Sequence, residues 1–148
     1  MEHPHCVRPE YPRILVCGGR DFIDGEYIAE YLDALGPEVV IHGKARGADK
    51  LAGLWAWRRR DRVTELPFPV SDEEWASLGG RAGHLRNTRM LEEGRPDLVL
   101  AFYPGGSGTA NMVKQAQAAG VEVWQIPQRQ EALDLLAQMV PPPPVKGL

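Results

Sequence analysis

Apolar and polar positions divide the chain into short continuous apolar runs and longer stretches in which apolar residues recur at helical spacing. The short runs cover residues 13–17, 39–41, 63–68, 97–102 and 121–126, and in the last of them apolar residues alternate with polar ones. Runs of this length without alternation are typical of strands that are covered on both faces of a parallel sheet. Pro67 and Pro69 interrupt the third run, which predicts a position toward the edge of that sheet.

Helical spacing fills the intervals between the runs. In the first interval Asp24 is a predicted N-cap and Gly36 a predicted stop. Further helices are predicted through Leu51–Arg58, from a capping box at Ser71, over 81–93 with Gly94 as its stop, over 110–119, and over 132–140 as a closing helix. Strands that alternate with helices predict an α/β fold: a single-domain, Rossmann-like, doubly wound and mainly parallel sheet with right-handed crossovers.

The domain organisation follows from length and from the two ends of the chain. At 148 residues the chain is long enough for one hydrophobic core and too short for two domains of ordinary size. We expect a flexible tail over residues 1–12, the Rossmann-like domain over 13–140 and a proline-rich tail over 141–148. His3, His5 and Cys6 in the first tail lack further ligands at usable spacing, so no metal site is predicted.

Composition excludes several classes of function. The net charge is −3, and no apolar run approaches the ~20 residues that span a bilayer, so no membrane partner is expected. The first residues lack the features of a secretory signal, and Cys6 and Cys17 are the only cysteines, which favours a cytoplasmic location. The mildly acidic balance argues against a dedicated duplex-DNA binder, and we expect no nucleic-acid partner. The basic run Arg58–Arg60 is expected to complement the negative end of a helix dipole and to stay solvated.

Glycine-rich loops follow three of the predicted strands, at residues 18–21, 42–49 and 105–109. The carboxyl ends of parallel strands meet at one edge of the sheet, where ligands of doubly wound folds bind. Each glycine removes a Cβ where something must approach the backbone. The third loop lies between a strand and a helix, which brings backbone N–H groups and the positive end of a helix dipole to one point. The sequence therefore predicts a phosphate, and so a nucleotide-type ligand, at this edge.

The chemistry of the loop residues and of Arg86 predicts how each would contact the phosphate. Gly105, Gly106 and Gly108 would present N–H groups to a phosphate, and Arg86 would neutralise it. The hydroxyl of Ser107 or Thr109 would cap the helix or add a donor. The full set of predicted ligand-binding residues is Gly18, Gly19, Arg20, Gly43, Arg46, Gly47, Asn87, Gly105, Gly106, Ser107, Gly108 and Thr109.

Several of these residues have a second interpretation that the sequence leaves open. Asp21 and Asp49 would accept hydrogen bonds from ribose hydroxyls or cap a neighbouring helix. Arg20 and Arg46 would contact the ligand or form local salt bridges. His42 is expected to be a hydrogen-bonded structural histidine rather than a catalyst. The Walker pattern and the G-x-G-x-x-G fingerprint are absent, and no cofactor is predicted.

Four ordered blocks, Gly18–Phe22, His42–Asp49, Ala82–Met90 and Pro104–Met112, resemble the signature blocks of the YspA/cpYpsA-related SLOG family. These are small Rossmann-like proteins of uncertain function. The resemblance runs from about residue 13 to residue 127. One departure is Lys44, where the family often has another glycine; it would narrow the approach there or add a cation.

The wider superfamily includes DNA-processing protein A and the Lonely Guy phosphoribohydrolases, which cleave nucleoside monophosphates to base and ribose 5-phosphate. The hydrolase motifs pair an arginine in R-K-x-x-M with a glutamate in P-G-G-x-G-T-x-x-E. Arg86 and Met90 match the first motif, but Met112 stands where the glutamate should be. Hydrolysis would then need another carboxylate, Asp21 or Asp49, beside Arg86. The resemblance thus implies nucleotide binding more strongly than it implies this reaction.

Three hypotheses follow, and whether the protein is an enzyme stays open. The first is a sensor or binding module for a nucleotide or an NAD/ADP-ribose-type metabolite. The second is a phosphoribohydrolase with a relocated carboxylate, and the third a single-stranded DNA-binding processing factor. Superfamily relatives are commonly homodimers, so we expect a homo-oligomer. Trp55 and Trp57 lie on different faces of one predicted helix, which puts one in the core and leaves the other for a subunit contact.

Overall fold

The computed structural model describes residues 9–130, 134, 137 and 138. The strands are β1 (Arg13–Gly18), β2 (Val39–His42), β3 (Thr64–Pro67), β4 (Leu98–Phe102) and β5 (Glu122–Ile126). The helices are α1 (Gly25–Leu35), α2 (Ala48–Trp57), α3 (Asp72–Leu78), α4 (Gly80–Gly94) and α5 (Ser107–Ala118). Apart from residues 134, 137 and 138, the predicted closing helix and the predicted tail over 141–148 lie outside the described residues.

The strands form one parallel sheet in the order β3-β2-β1-β4-β5. Strand and helix alternate along the chain, which confirms the predicted Rossmann-like α/β fold, and β3 lies at an edge as its prolines predicted. The chain runs outward from β1 through β2 to β3 and then crosses to β4 on the other side of β1. The topological switch point therefore lies between β1 and β4, which pair from Ile14↔Leu98 to Gly18↔Phe102.

The core has two layers because each central strand buries both of its faces. Ile14 and Val16 of β1 pack in one cluster with side chains of α1 and α2. Leu15 and Cys17 pack in the other, with side chains of α4 and α5. This alternation explains why the strands read as continuous apolar runs in the sequence.

The ends of the helices agree with the predicted caps where the cap chemistry is local. The Asp24 side chain accepts a hydrogen bond from Tyr27 N, Gly36 ends α1 with φ of 60°, and Ser71 and Glu74 form the predicted capping box. The Arg58–Arg60 run complements the end of α2 as predicted, since Arg59 and Arg60 donate to backbone carbonyls in its last turn. The Arg59 side chain is not fully solvated, however, because it pairs with Asp33 and lies over the Trp55 ring.

Two predictions about helix boundaries were wrong. Gly94 is the last residue of α4 rather than its left-handed stop, a conformation that Arg95 adopts with φ of 48°. Gly94 packs closely on the sheet, and a Cβ there would make a tight contact of 3.2 Å with the Ile41 side chain. Helix α5 begins at Ser107, three residues before its predicted start. Packed contacts also extend into the segment predicted as a tail, where the Tyr11 ring meets that of Trp124 edge-on at 5.7 Å.

The two tryptophans of α2 face different environments, as their spacing predicted. Trp55 is buried and donates its indole N–H to Asp33, whereas Trp57 is 54% exposed and stacks with Arg60. The role of Trp57 at a subunit contact stays a prediction.

Candidate functional site

A cleft of roughly 1280 Å³ lies at the carboxyl edge of the sheet, above the switch point between β1 and β4. The loops after β1, β2, β3 and β4 line it, together with one side of α4. Gly47 is the sequence-predicted site residue that does not line the cleft. The others do: Gly18, Gly19, Arg20, Asp21, Gly43, Arg46, Asp49, Arg86, Asn87, Gly105, Gly106, Ser107, Gly108 and Thr109. The predicted loops therefore meet at one place, and their role in binding stays a prediction.

Several of these glycines are required by contacts within the protein. A Cβ at Gly19 would collide with the carbonyl oxygen of Pro104, and a Cβ at Gly47 would collide with that of Gly19. Gly47 also has φ of 84°, which other residues rarely adopt. A Cβ at Gly43 would strike the Arg86 guanidinium. The three loops thus pack backbone against backbone and form a closed wall of the cleft.

The first turn of α5 is the open part of the cleft. Gly106 is the N-cap residue, and no side chain in the described part of the chain caps this end. The hydroxyl cap is therefore wrong as one of the two roles predicted for Ser107 or Thr109, and the role of an extra donor to a ligand stays a prediction. The Thr109 side chain packs beside Gly105. The leading N–H groups of a helix have no intrahelical acceptor, and they carry the positive end of its dipole. A Cβ at Gly106 or Gly108 would meet nothing within 4 Å.

Arg86 projects from α4 to the closed wall. Its Nη1 donates to Gly43 O at 2.6 Å and its Nε to Asn87 Oδ1 at 3.2 Å. Within residues 9–130, no hydrogen bond engages Nη2. Burial lowers the pKa of this guanidinium, and the nearby Asp49 carboxylate opposes that change. The arrangement holds a partly desolvated cation in the cleft with one N–H₂ group available to a ligand.

Asn87 connects Arg86 to the open turn. The side chain is buried, and its Nδ2 donates to Gly108 O at 3.0 Å and to Asn111 Oδ1 at 3.1 Å. Its Oδ1 accepts from Arg86, so one amide ties α4 to the start of α5. The observed contacts make Asn87 a positioning residue, and direct ligand contact by it stays a prediction.

Asp49 braces the loop after β2. Its Oδ2 accepts from Gly43 N at 3.0 Å and from Ala45 N at 3.3 Å. The residue is 7% exposed, and burial raises the pKa of this carboxyl. Between the two bonded residues lies Lys44 with φ of 55°, the left-handed region that a glycine would favour.

His42 supports the same loop from beneath. Its Nδ1 accepts from Lys44 N at 3.0 Å, so the ring proton is on Nε2, which lies 2.6 Å from Glu65 Oε2. The residue is 2% exposed. These contacts confirm the prediction of a hydrogen-bonded structural histidine.

Charged side chains at the rim form exposed pairs. Arg46 Nη2 lies 3.5 Å from Asp21 Oδ1, with both side chains in solvent, which is the local salt bridge that the sequence left open. Arg129 pairs with Asp24 and Glu30. Arg20 forms no ion pair with any residue that the structure describes.

Comparison with known proteins identifies the family. The family model of the YspA, cpYpsA-related SLOG family matches residues 12–68. The Gene 61 protein of Mycobacterium phage D29 is 38% identical over 120 residues, which cover 75% of this chain and 93% of that protein. The chain belongs to this SLOG family. Family membership makes it a nucleotide-related Rossmann-like protein.

Met112, where the hydrolases of the wider superfamily have glutamate, lies outside the cleft of this SLOG protein. It is fully buried among Leu15, Val99 and other side chains between the sheet and α5. No three His, Cys, Asp or Glu side chains among residues 9–130, 134, 137 and 138 are grouped as metal ligands would be. The same residues include no helix that is long and apolar enough to cross a membrane.

The sequence interpretation missed one wall of the SLOG cleft. Pro69, Val70 and Trp75 line it from the segment after β3, and Arg129 lines it from the start of the last segment. Loops after parallel strands share one edge, and this rule applies equally to β3, but the loop after β3 has no glycine cluster that would predict a ligand. Arg129 carried no local signal, because its partner Asp24 is remote in sequence.

Proposed function

We propose that this SLOG protein binds a nucleotide or a nucleotide-derived metabolite of the NAD or ADP-ribose type, with a phosphate at the first turn of α5. The observation that carries the proposal is the uncapped and sterically open N-terminus of α5 in the same cleft as the available Nη2 of Arg86. Backbone N–H groups, a helix dipole and a guanidinium are the groups that bind phosphate in proteins.

The rigidity of this arrangement supports binding. Asn87 links the Arg86 side chain to Gly108 by hydrogen bonds of 3.2 and 3.0 Å. The cation and the helix terminus are therefore held together before any ligand arrives. Preorganisation of this kind lowers the entropy that is lost on binding.

The charge of the cleft supports an anionic ligand although the chain as a whole is acidic. The net charge of the chain is −3. Among the described residues that line the cleft, the cations are Arg20, Lys44, Arg46, Arg86 and Arg129, and the carboxylates are Asp21, Asp24 and Asp49. This local surplus of positive charge attracts a phosphate without making the whole surface basic.

A binding role is better supported than hydrolysis. Met112 is buried and has no acidic group, and one oxygen of Asp49 is already engaged by Gly43 N and Ala45 N. Asp21 lies at the rim with 96% of its side chain exposed and pairs with Arg46. A carboxylate in such a polar, solvated position is not prepared for acid catalysis at an N-glycosidic bond.

The proposal is tested by measuring affinity and thermal stability with AMP, ADP-ribose and NAD. We expect at least one of them to raise the melting temperature, because a ligand that binds only the native state stabilises it. Arg86→Ala should weaken binding of that ligand by about 10- to 100-fold, the usual value of a charge-assisted hydrogen bond. The matched control is Arg89→Ala, since Arg89 lies on the same helix and pairs with Glu93 in solvent.

Two outcomes would contradict the proposal. One is the absence of a thermal shift and of measurable affinity for every ligand of the panel. The other is an Arg86→Ala variant that folds and binds as tightly as the Arg89→Ala variant. Release of ribose 5-phosphate from AMP, if it depends on Asp21, would instead establish the phosphoribohydrolase.

A further inference from the structure

We infer that Trp75 is a stacking platform for the base of the ligand, so that the protein recognises a nucleotide rather than a phosphorylated sugar. This inference rests on the proposed function. It adds the class of chemical group that would bind against the wall lined by Pro69, Val70 and Trp75. The observations concern α3, which follows β3 and lies over α4.

Helix α3 buries none of its seven residues, yet it presents an aromatic ring to the cleft. Trp75 lines the cleft and is 36% exposed. Its ring rests on Gly83 of α4, where a Cβ would lie 3.4 Å from Cη2. Packing onto α4 thus covers part of the indole and leaves the remainder available to a ligand.

The ring lies beside the group proposed to bind phosphate. The position of a Cβ at Gly83 is 3.4 Å from the Trp75 ring and 3.9 Å from Arg86 Nη2. Trp75 and Arg86 therefore reach the same glycine, and one small ligand can contact both. The cleft volume of roughly 1280 Å³ exceeds the upper end of the usual range for small-molecule sites, about 1,000 Å³, and leaves room for a base and sugar beyond the phosphate.

The wall that carries Trp75 is unsuited to an anion. The first turn of α3 holds Asp72, Glu73 and Glu74, and the capping box at Ser71 already engages the backbone N–H groups of Ser71 and Glu74. Pro69 and Val70 line the cleft on the same side. One wall thus offers an aromatic face with apolar neighbours and the other offers open N–H groups, which matches a ligand with a planar uncharged end and a phosphate end.

The test compares AMP and ADP-ribose with ribose 5-phosphate, which carries the same sugar and phosphate without a base. The wild-type protein should bind AMP or ADP-ribose at least about tenfold more tightly than ribose 5-phosphate, the usual value of one base stacked on an aromatic ring. Trp75→Ala should remove this preference and leave the affinity for ribose 5-phosphate unchanged. Trp75→Phe should retain most of it, which separates stacking from a structural effect on α3.

Trp57→Ala is the matched control, because Trp57 is exposed on α2 and does not line the cleft. It should leave every affinity unchanged. Saturation with AMP should quench tryptophan fluorescence in the Trp57→Ala protein and have a much smaller effect in Trp75→Phe.

The outcomes distinguish the two proposals. If ribose 5-phosphate binds as tightly as the nucleotides, or if Trp75→Ala keeps the preference, the stacking inference is wrong and the phosphate site stands. If neither the nucleotides nor ribose 5-phosphate bind, the proposed function fails and the inference fails with it.

Discussion

Two groups of glycines lie in the loops that build the cleft, and their surroundings are opposite. Gly19, Gly43 and Gly47 lie where a Cβ would strike another loop or the Arg86 side chain. Gly106 and Gly108 lie where a Cβ would meet nothing within 4 Å. The first group is explained by contacts within the protein, because the loops after β1, β2 and β4 touch through their backbones. The second group has no such explanation and leaves room for a ligand.

The contrast between these two groups of glycines limits what a glycine-rich loop of this fold indicates about a ligand. A glycine that permits close approach does not reveal whether the approaching atoms belong to a ligand or to the same chain. In the closed wall, contacts between the loops and with Arg86 explain Gly19, Gly43 and Gly47. The phosphate site of the proposal therefore depends on a short stretch, Gly106–Gly108, rather than on every glycine at the edge.

The largest effect is expected in the closed wall, from Gly47→Ala. The new Cβ would collide with Gly19 O and with the backbone of Arg20, and φ of 84° disfavours any side chain. We expect the free energy of unfolding to fall by about 3 kcal/mol or more, as measured by denaturant titration.

The matched variant in the open turn is Gly106→Ala. Its backbone is extended, with φ of −99° and ψ of −162°, and the Cβ position is empty. Its unfolding free energy should stay within about 0.5 kcal/mol of the wild-type value. Equal stability of Gly47→Ala and Gly106→Ala would contradict the distinction between the closed wall and the open turn.

The second prediction concerns the brace of the closed wall. Asp49→Ala leaves Gly43 N and Ala45 N without their shared acceptor, and we expect a loss of about 2 kcal/mol. Asp49→Asn keeps an oxygen that accepts from both groups and should cost clearly less. If both variants lose the same stability, the two hydrogen bonds do not hold the loop.

The wild-type protein and Asp49→Asn are expected to differ in how the free energy of unfolding depends on pH. Burial raises the pKa of Asp49, so the folded state binds this proton more tightly than the unfolded chain does. The contribution of Asp49 to stability is therefore fully present below the pKa of the unfolded chain, about 3.9, and is lost as the pH rises through the raised value. Asp49→Asn should remove this loss. Urea titrations at a series of pH values from 4 to 7 measure the difference in slope between the two proteins.

Local chemistry explains which parts of the fold were predictable. The central strands β1 and β4 are continuous apolar runs because α1 and α2 cover one face of the sheet and α4 and α5 the other. The caps at Asp24 and Ser71 involve neighbours in sequence, so their residue types suffice to predict them. By contrast, α5 begins three residues early, and Asn87 of another helix donates to Gly108 O in its first turn, a contact that no local pattern encodes.

The position of the site was predictable from the sequence, but the contacts within it were not. Parallel strands bring their following loops to one edge whatever the loops contain, and this rule located the cleft. The sequence did not reveal that Gly19 packs on Pro104, that Asp49 braces its own loop, or that Trp75 supplies a wall. Each of these facts depends on which loops touch, and that is decided by strand order and by packing.

The smallest effect on stability, and the sharpest test of the open turn, is expected from Gly108→Ala. Gly108 lies in the first turn of α5 with empty space at its Cβ, so alanine should raise the unfolding free energy by about 0.5 kcal/mol through its better helix propensity. The same methyl group would intrude on a ligand that approaches the N–H groups of this turn, so affinity for AMP or ADP-ribose should fall. Gln117→Ala, an exposed substitution near the other end of α5, should leave the affinity unchanged. A protein that becomes more stable and binds less well is the result expected where glycine serves a ligand; a Gly108→Ala variant with unaltered affinity would show that the open turn is not the phosphate site.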